Sequence, residues 1–138
     1  MRNSEQEMEM ADLTSNQLSD LAEKYFAGVD AMDWKVIREV LTEDCTIEIR
    51  THGLMHEGRD LGVRKMFEGL FERYHRVWHG EFRHVCDVER QTVASQFKVL
   101  NTLEDGSTRS KANCNFFEVR DGLFFRIAIY MSGENTLT

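Results

Sequence analysis

No stretch of the 138 residues is long or apolar enough to cross a bilayer, and the start of the chain carries no apolar run of the secretory kind. A cytoplasmic protein is expected. Cysteine is scarce: Cys45, Cys86 and Cys114 make an odd number without a Cys-x-x-Cys pair, which suits reduced thiols better than a disulfide framework. Basic residues are outnumbered, 17 Lys and Arg against 24 Asp and Glu, for a formal net charge of -7. No basic stripe offsets that balance, so neither nucleic acid nor an anionic membrane surface is expected as a partner. Gly58, Gly62 and Gly69 form no phosphate-cradling loop, and there is no nucleophile elbow for covalent catalysis. His52 with His56, and His75 with His79, are paired at four-residue spacing, but no third ligand follows at a usual interval. No metal and no cofactor is therefore expected.

What is present is the composition of a soluble globular chain, 41% hydrophobic and 30% charged. The length suits one domain, which buries enough surface to need no disulfide or metal staple. Residues 1–13 read as a disordered acidic tail and residues 14–138 as the domain. Leu18, Leu21, Ala22, Tyr25, Val29 and Met32 recur at helical spacing after a cap at Thr14, Ser15 or Asn16. Asp33 caps a second, short helix whose apolar residues are Val36, Ile37, Val40 and Leu41. A β-branched, alternating strand follows over 45–51, with Ile47 and Ile49 on one face, then a turn at Gly53 and a short return over 54–57. A third helix is expected over 60–75, with Val63, Met66, Phe67, Leu70, Phe71 and Tyr74 as its apolar stripe.

From there the period is two. Strands are expected over 77–89, 92–103, 108–120 and 123–132, with Asp121-Gly122 as a tight hairpin turn. Helices first and hairpin-linked strands afterwards give an α+β fold. The expected shape is a cone, a strongly curved antiparallel or mixed sheet wrapped around three N-terminal helices and open at one end to hold a ligand.

That order, with Asp33-Trp34 opening the second helix and Val119-Arg120-Asp121-Gly122 near the end, resembles the SnoaL-like branch of the nuclear transport factor 2-like superfamily. The resemblance covers about residues 14–135. The run Asp30 to Leu41, continued through Ile47-Glu48-Ile49-Arg50, is similar in spacing to the helix–helix–strand segment of the scytalone dehydratases. The resemblance implies that Asp30 is a catalytic-network aspartate, that Asn113 binds substrate, and that His79 lies within one residue of a catalytic histidine. The dehydratases' two catalytic tyrosines fall on Val29 and Ile49, their second histidine near Asn101, and their binding serine on Lys111. Against the ketosteroid isomerases, Tyr25 matches the oxyanion-hole tyrosine, but Ile49 stands at the base position and Asn115 at the second oxyanion donor. Against the limonene epoxide hydrolases, Ile129 replaces an aspartate, and Gln96 and Lys98 replace an arginine and an aspartate.

The implied activity is that of a cofactor-independent dehydratase, isomerase or cyclase working by proton transfer on an apolar, carbonyl-bearing small molecule. His79 would be the general acid and base, with Asp30 orienting it. Tyr25, Asn113, Asn115 and Tyr130 would contact the substrate among apolar walls of Ile49, Phe117 and Ile129. Residues 112, 114 and 116 are as apolar as 117 and 119, so both faces of that strand look covered, which points to a homodimer. The alternative is a non-catalytic ligand-binding or dimerisation module of the same fold.

Overall fold

Thr14 opens the first helix with a capping box: its Oγ1 accepts the Gln17 N–H at 3.2 Å, and Gln17 Oε1 accepts the Thr14 N–H at 2.8 Å. In this computed structural model, which describes residues 11–138, helix α1 spans Ser15–Asp30. The expected tail lies outside the described residues as far as position 10. Leu13, its last residue, is pinned: its N–H donates to Gln91 Oε1 at 2.8 Å and its carbonyl accepts from Gln91 Nε2 at 3.0 Å. Asp33 caps α2 (Trp34–Glu39) by accepting the Lys35 and Val36 N–H groups.

Leu41 belongs to a strand rather than to α2. Strand β1 covers Leu41–Ile49, because Val40 leaves helical geometry and its carbonyl takes the Phe124 N–H at 2.9 Å. Strand β2 is Leu54–Glu57. The third helix is split: a π-turn over Gly58–Val63 precedes α3, Arg64–Arg73. The periodic stripe does not register this break because its cause is steric. A Cβ on Gly62 would sit 2.8 Å from the Glu57 carbonyl oxygen, so that turn closes only around glycine.

The long strands are β3 (Arg76–Asp87), β4 (Thr92–Thr102), β5 (Thr108–Arg120) and β6 (Leu123–Met131). Sheet order is β2-β1-β6-β5-β4-β3, antiparallel throughout except for the parallel β1–β6 pair. Asp121 and Gly122 both have positive φ, 54° and 80°, and make the expected tight β5–β6 turn. The three helices bury Leu18, Phe26, Ile37 and Phe67 against the inner-facing Ile47, Ile49, Val93, Phe117, Phe124 and Ile127. On β5 the inner face carries Asn113, Asn115, Phe117 and Val119, which resolves an alternation that the sequence leaves open.

A bulge in β3 sets where its two histidines point. Gly80 pairs with Lys98 and Arg83 with Gln96, so Glu81 and Phe82 together oppose Phe97, and Glu81 takes φ 55°. Strict alternation would put His79 and His84, five residues apart, on opposite faces. The bulge restores them to the same inner face.

Candidate active site

His79 leaves the first turn of β3 towards the last turn of α1, where Asp30 meets it. Asp30 Oδ1 accepts from His79 Nδ1 at 2.6 Å and Oδ2 accepts the His79 backbone N–H at 3.1 Å. A carboxylate at a helix C-terminus meets the negative end of the helix dipole, and the last turn of α1 contains no basic residue. His79, bonded to this carboxylate through both its ring and its backbone N–H, supplies the compensating partner. The ring is wedged between Phe26 and Phe97, with centroids 5.2 and 5.6 Å away. Nδ1 carries the proton in this arrangement, which leaves Nε2 as the basic nitrogen.

His79 lines a narrow cavity of about 30 Å³ together with Tyr25, Phe67, Asn113, Asn115 and Ile129. A space of that size holds about one water molecule. The sequence-assigned residues are therefore divided by the structure. His79, Asp30, Tyr25, Asn113, Asn115 and Ile129 gather at or beside this cavity. Ile49 and Phe117 face inward but lie in the solid core behind it, both 0% exposed. Tyr130 is a correction: it alternates with Ile129 and so projects from the outer face of the sheet, edge-on to Phe116 at 6.1 Å and under the Arg50 guanidinium at 5.9 Å.

Tyr25 is wholly enclosed by Phe26, Phe67, Phe117 and Phe124. Burial, reinforced by the nearby Cys45, pushes its phenol well above the usual tyrosine range, so the hydroxyl stays protonated as a donor. Burial likewise pushes the Cys45 thiol up to about 12, which makes it inert packing. Asn113 Oδ1 accepts the Ser132 N–H at 3.3 Å.

Several contributors escape sequence reading. Phe26 and Phe97 supply the aromatic walls, and Leu137 completes the lining. Residues 132–138 are held there by side chains grasping backbone carbonyls. Lys111 Nζ donates to Ser132 O at 2.7 Å and to Glu134 O, Arg73 reaches Thr136 O at 2.7 Å, and His56 meets Leu137 O at 2.8 Å. His52 does the same with Gly133 O at 3.1 Å, so His52 and His56 serve as clamps. The signal that was available is the adjacency of Phe26 to Tyr25 on the helix stripe; nothing local marks Leu137.

A second carboxylate–imidazole pair lies two turns earlier on α1. His84 Nε2 meets Glu23 Oε2 at 2.9 Å, and its Nδ1 meets Ser95 Oγ at 2.8 Å. The order Ser–His–Glu is that of a hydrolytic triad, but Ser95 is 0% exposed and cannot meet a substrate.

Residues 22–127 match the model of the SnoaL-like domain family. No curated protein matches the chain. Among solved structures, a protein from Xanthomonas campestris provisionally assigned as a polyketide cyclase superposes with TM-score 0.75 at 21% identity, over 83% of this chain and 90% of that one. A protein of ketosteroid isomerase-like fold from Catenulispora acidiphila, solved in complex with trimethylamine, gives 0.70 at 9% identity over 80% and 83%. PrhC from Penicillium brasilianum gives 0.73 at 16% over 85% and 81%. At these identities the likeness is one of fold.

Proposed function

The chain belongs to the SnoaL-like domain family, and from that premise we propose that it is a cofactor-independent dehydratase, isomerase or cyclase acting on an apolar, carbonyl-bearing small molecule. The observation that carries the reading is the Asp30–His79 pair at the cavity wall, with one imidazole nitrogen oriented by the carboxylate and the other unspent. Nε2 takes a proton from the carbon beside the substrate carbonyl. Asp30 offsets the charge that the ring takes up. The imidazolium then returns the proton, either to a hydroxyl on the neighbouring carbon, which departs as water, or to a different carbon. The Tyr25 hydroxyl and the Asn113 amide orient the carbonyl oxygen as the enolate develops. Because the cavity is small, a substrate enters as Leu137 and the neighbouring 132–138 segment move aside.

Exchange of α-protons of small aromatic ketones in heavy water, followed by NMR, tests this. Exchange faster than buffer is expected with the wild type and is abolished in His79→Ala; a mutant at the full rate rejects the assignment. The second reading, a non-catalytic binding module, is favoured by Ile49, an apolar residue where a carboxylate base would stand. It predicts ketone binding without exchange.

The outer sheet face supports a homodimer. It exposes Trp78, Val85, Leu100, Phe116 and Tyr130. A two-fold axis near β5 would bury this apolar patch against its copy in a second chain. Analytical ultracentrifugation should give twice the chain mass for the wild type and a single chain mass for Phe116→Glu.

A further inference from the structure

We propose that residues 132–138 occupy the place of an acidic group, and that the ligand which displaces them carries a carboxylate received by Lys111. This narrows the ligand class of the enzyme reading and rests on that reading only for the choice of cavity. After Met131 the chain forms no regular element, and among the described residues no backbone–backbone hydrogen bond joins 133–138 to the rest. The strap is held from the side instead. Lys111, Arg73, His52 and His56, from four separate parts of the fold, each donate to one of its carbonyl oxygens. In a chain of net charge -7, its seat therefore presents donors and two fixed cations.

Lys111 is the centre of that seat. It is 6% exposed, and among the described residues it is the one charged side chain that is buried. Its ammonium donates to the carbonyls of Ser132 and Glu134, both in the strap. Burial pulls its pKa below the usual lysine range, and the carboxylate that opposes this is Glu134, again in the strap. A buried cation is costly unless an anion and enough acceptors answer it. Here every group that does so can leave together. The seat adjoins the cavity through Ser132: Asn113, which lines the cavity, accepts the Ser132 N–H, and Lys111, two residues earlier on the same face of β5, takes the Ser132 carbonyl. A ligand too large for about 30 Å³ enters by shifting the strap, which strips Lys111 of its partners. A ketone or ester oxygen restores one neutral acceptor. A carboxylate restores both acceptors and the charge. The ligand class that fits is an apolar carbonyl compound with a carboxylate at one end.

Benzoylpropionate, an aryl ketone with a terminal carboxylate, and its methyl ester differ in that charge. NMR titration of the full chain with each, together with amide hydrogen exchange of residues 133–138, gives the test. Wild type is expected to bind the acid about tenfold or more tighter than the ester. Exchange across 133–138 should rise as the acid binds. Lys111→Met should abolish the preference, and Lys111→Arg should keep it. Leu137→Ala loosens the strap without removing the cation, so it should tighten both ligands and leave their ratio unchanged. Equal binding by wild type, no binding of either ligand, or a preference that survives in Lys111→Met would each overturn the proposal. So would acid binding that leaves the strap as protected as in the free protein, a wild-type readout that holds even where a Lys111 variant fails to fold. Acid preference without α-proton exchange refutes the enzyme reading and leaves this inference standing; exchange of neutral ketones without acid preference does the opposite.

Discussion

Two carboxylate–imidazole pairs sit on the same α1–β3 interface, Asp30–His79 and Glu23–His84, and they have different chemical prospects. The carboxylates are seven residues apart, two helical turns, so both face β3. The histidines are five apart and share a face only because of the bulge at Glu81 and Phe82. In the first pair one ring nitrogen is used and the other is left at a cavity. In the second both are consumed, by Glu23 and Ser95, and the ring lies outside the cavity that His79 lines. Residue type and spacing do not separate a general base from a structural histidine. The unspent nitrogen does.

The widest separation of the two should appear on substitution. His79→Ala is expected to lower turnover of a reactive ketone by roughly 10²–10⁴-fold, and it also strips Asp30 of the partner that offsets the helix dipole. His84→Leu should leave proton transfer in place and cost only stability, several degrees of melting temperature, because the ring's bond to Glu23 and its stacking on Phe82 are lost. Turnover lost equally in both variants would break the comparison. Asp30→Asn should fall between, on the order of 10²-fold in turnover, because the amide holds the ring less well in the tautomer with a basic Nε2.

The smallest effect concerns a carboxylate outside both pairs. Hydrogen bonds from Arg38, then Arg59, hold Asp60 down at about 2. Its unfolded value is about 3.9, so the bonded carboxylate stabilises the fold above that pH and the contribution is lost as pH falls towards 2. Asp60→Asn should flatten the acid limb of a melting-temperature profile across that window.

Much of the architecture was legible in the chain because periodicity reports burial directly. The α1 stripe, the switch from period 3.6 to two after α3, and the Asp121-Gly122 turn each match an element. What escaped depends on contacts distant in sequence. Leu41 looks helical until its neighbour's carbonyl is claimed by Phe124, and the break before α3 comes from a Gly62–Glu57 approach that no pattern encodes. At the site, Asp30 and His79 came from resemblance, since neither lies on a telling stripe. Tyr130 looked eligible beside Ile129, yet strand alternation sends neighbouring side chains to opposite faces. The partners of His84 lie 61 and 11 residues away, beyond any local signal.

The central claim is the unequal state of the two rings, and ¹⁵N NMR of the imidazole nitrogens reads it directly. His79 should carry its proton on Nδ1, with an Nε2 signal that moves when a small aromatic ketone is added. His84 should carry its proton on Nε2 and stay unmoved. A proton on His79 Nε2, or two rings that respond alike to the ketone, would contradict it.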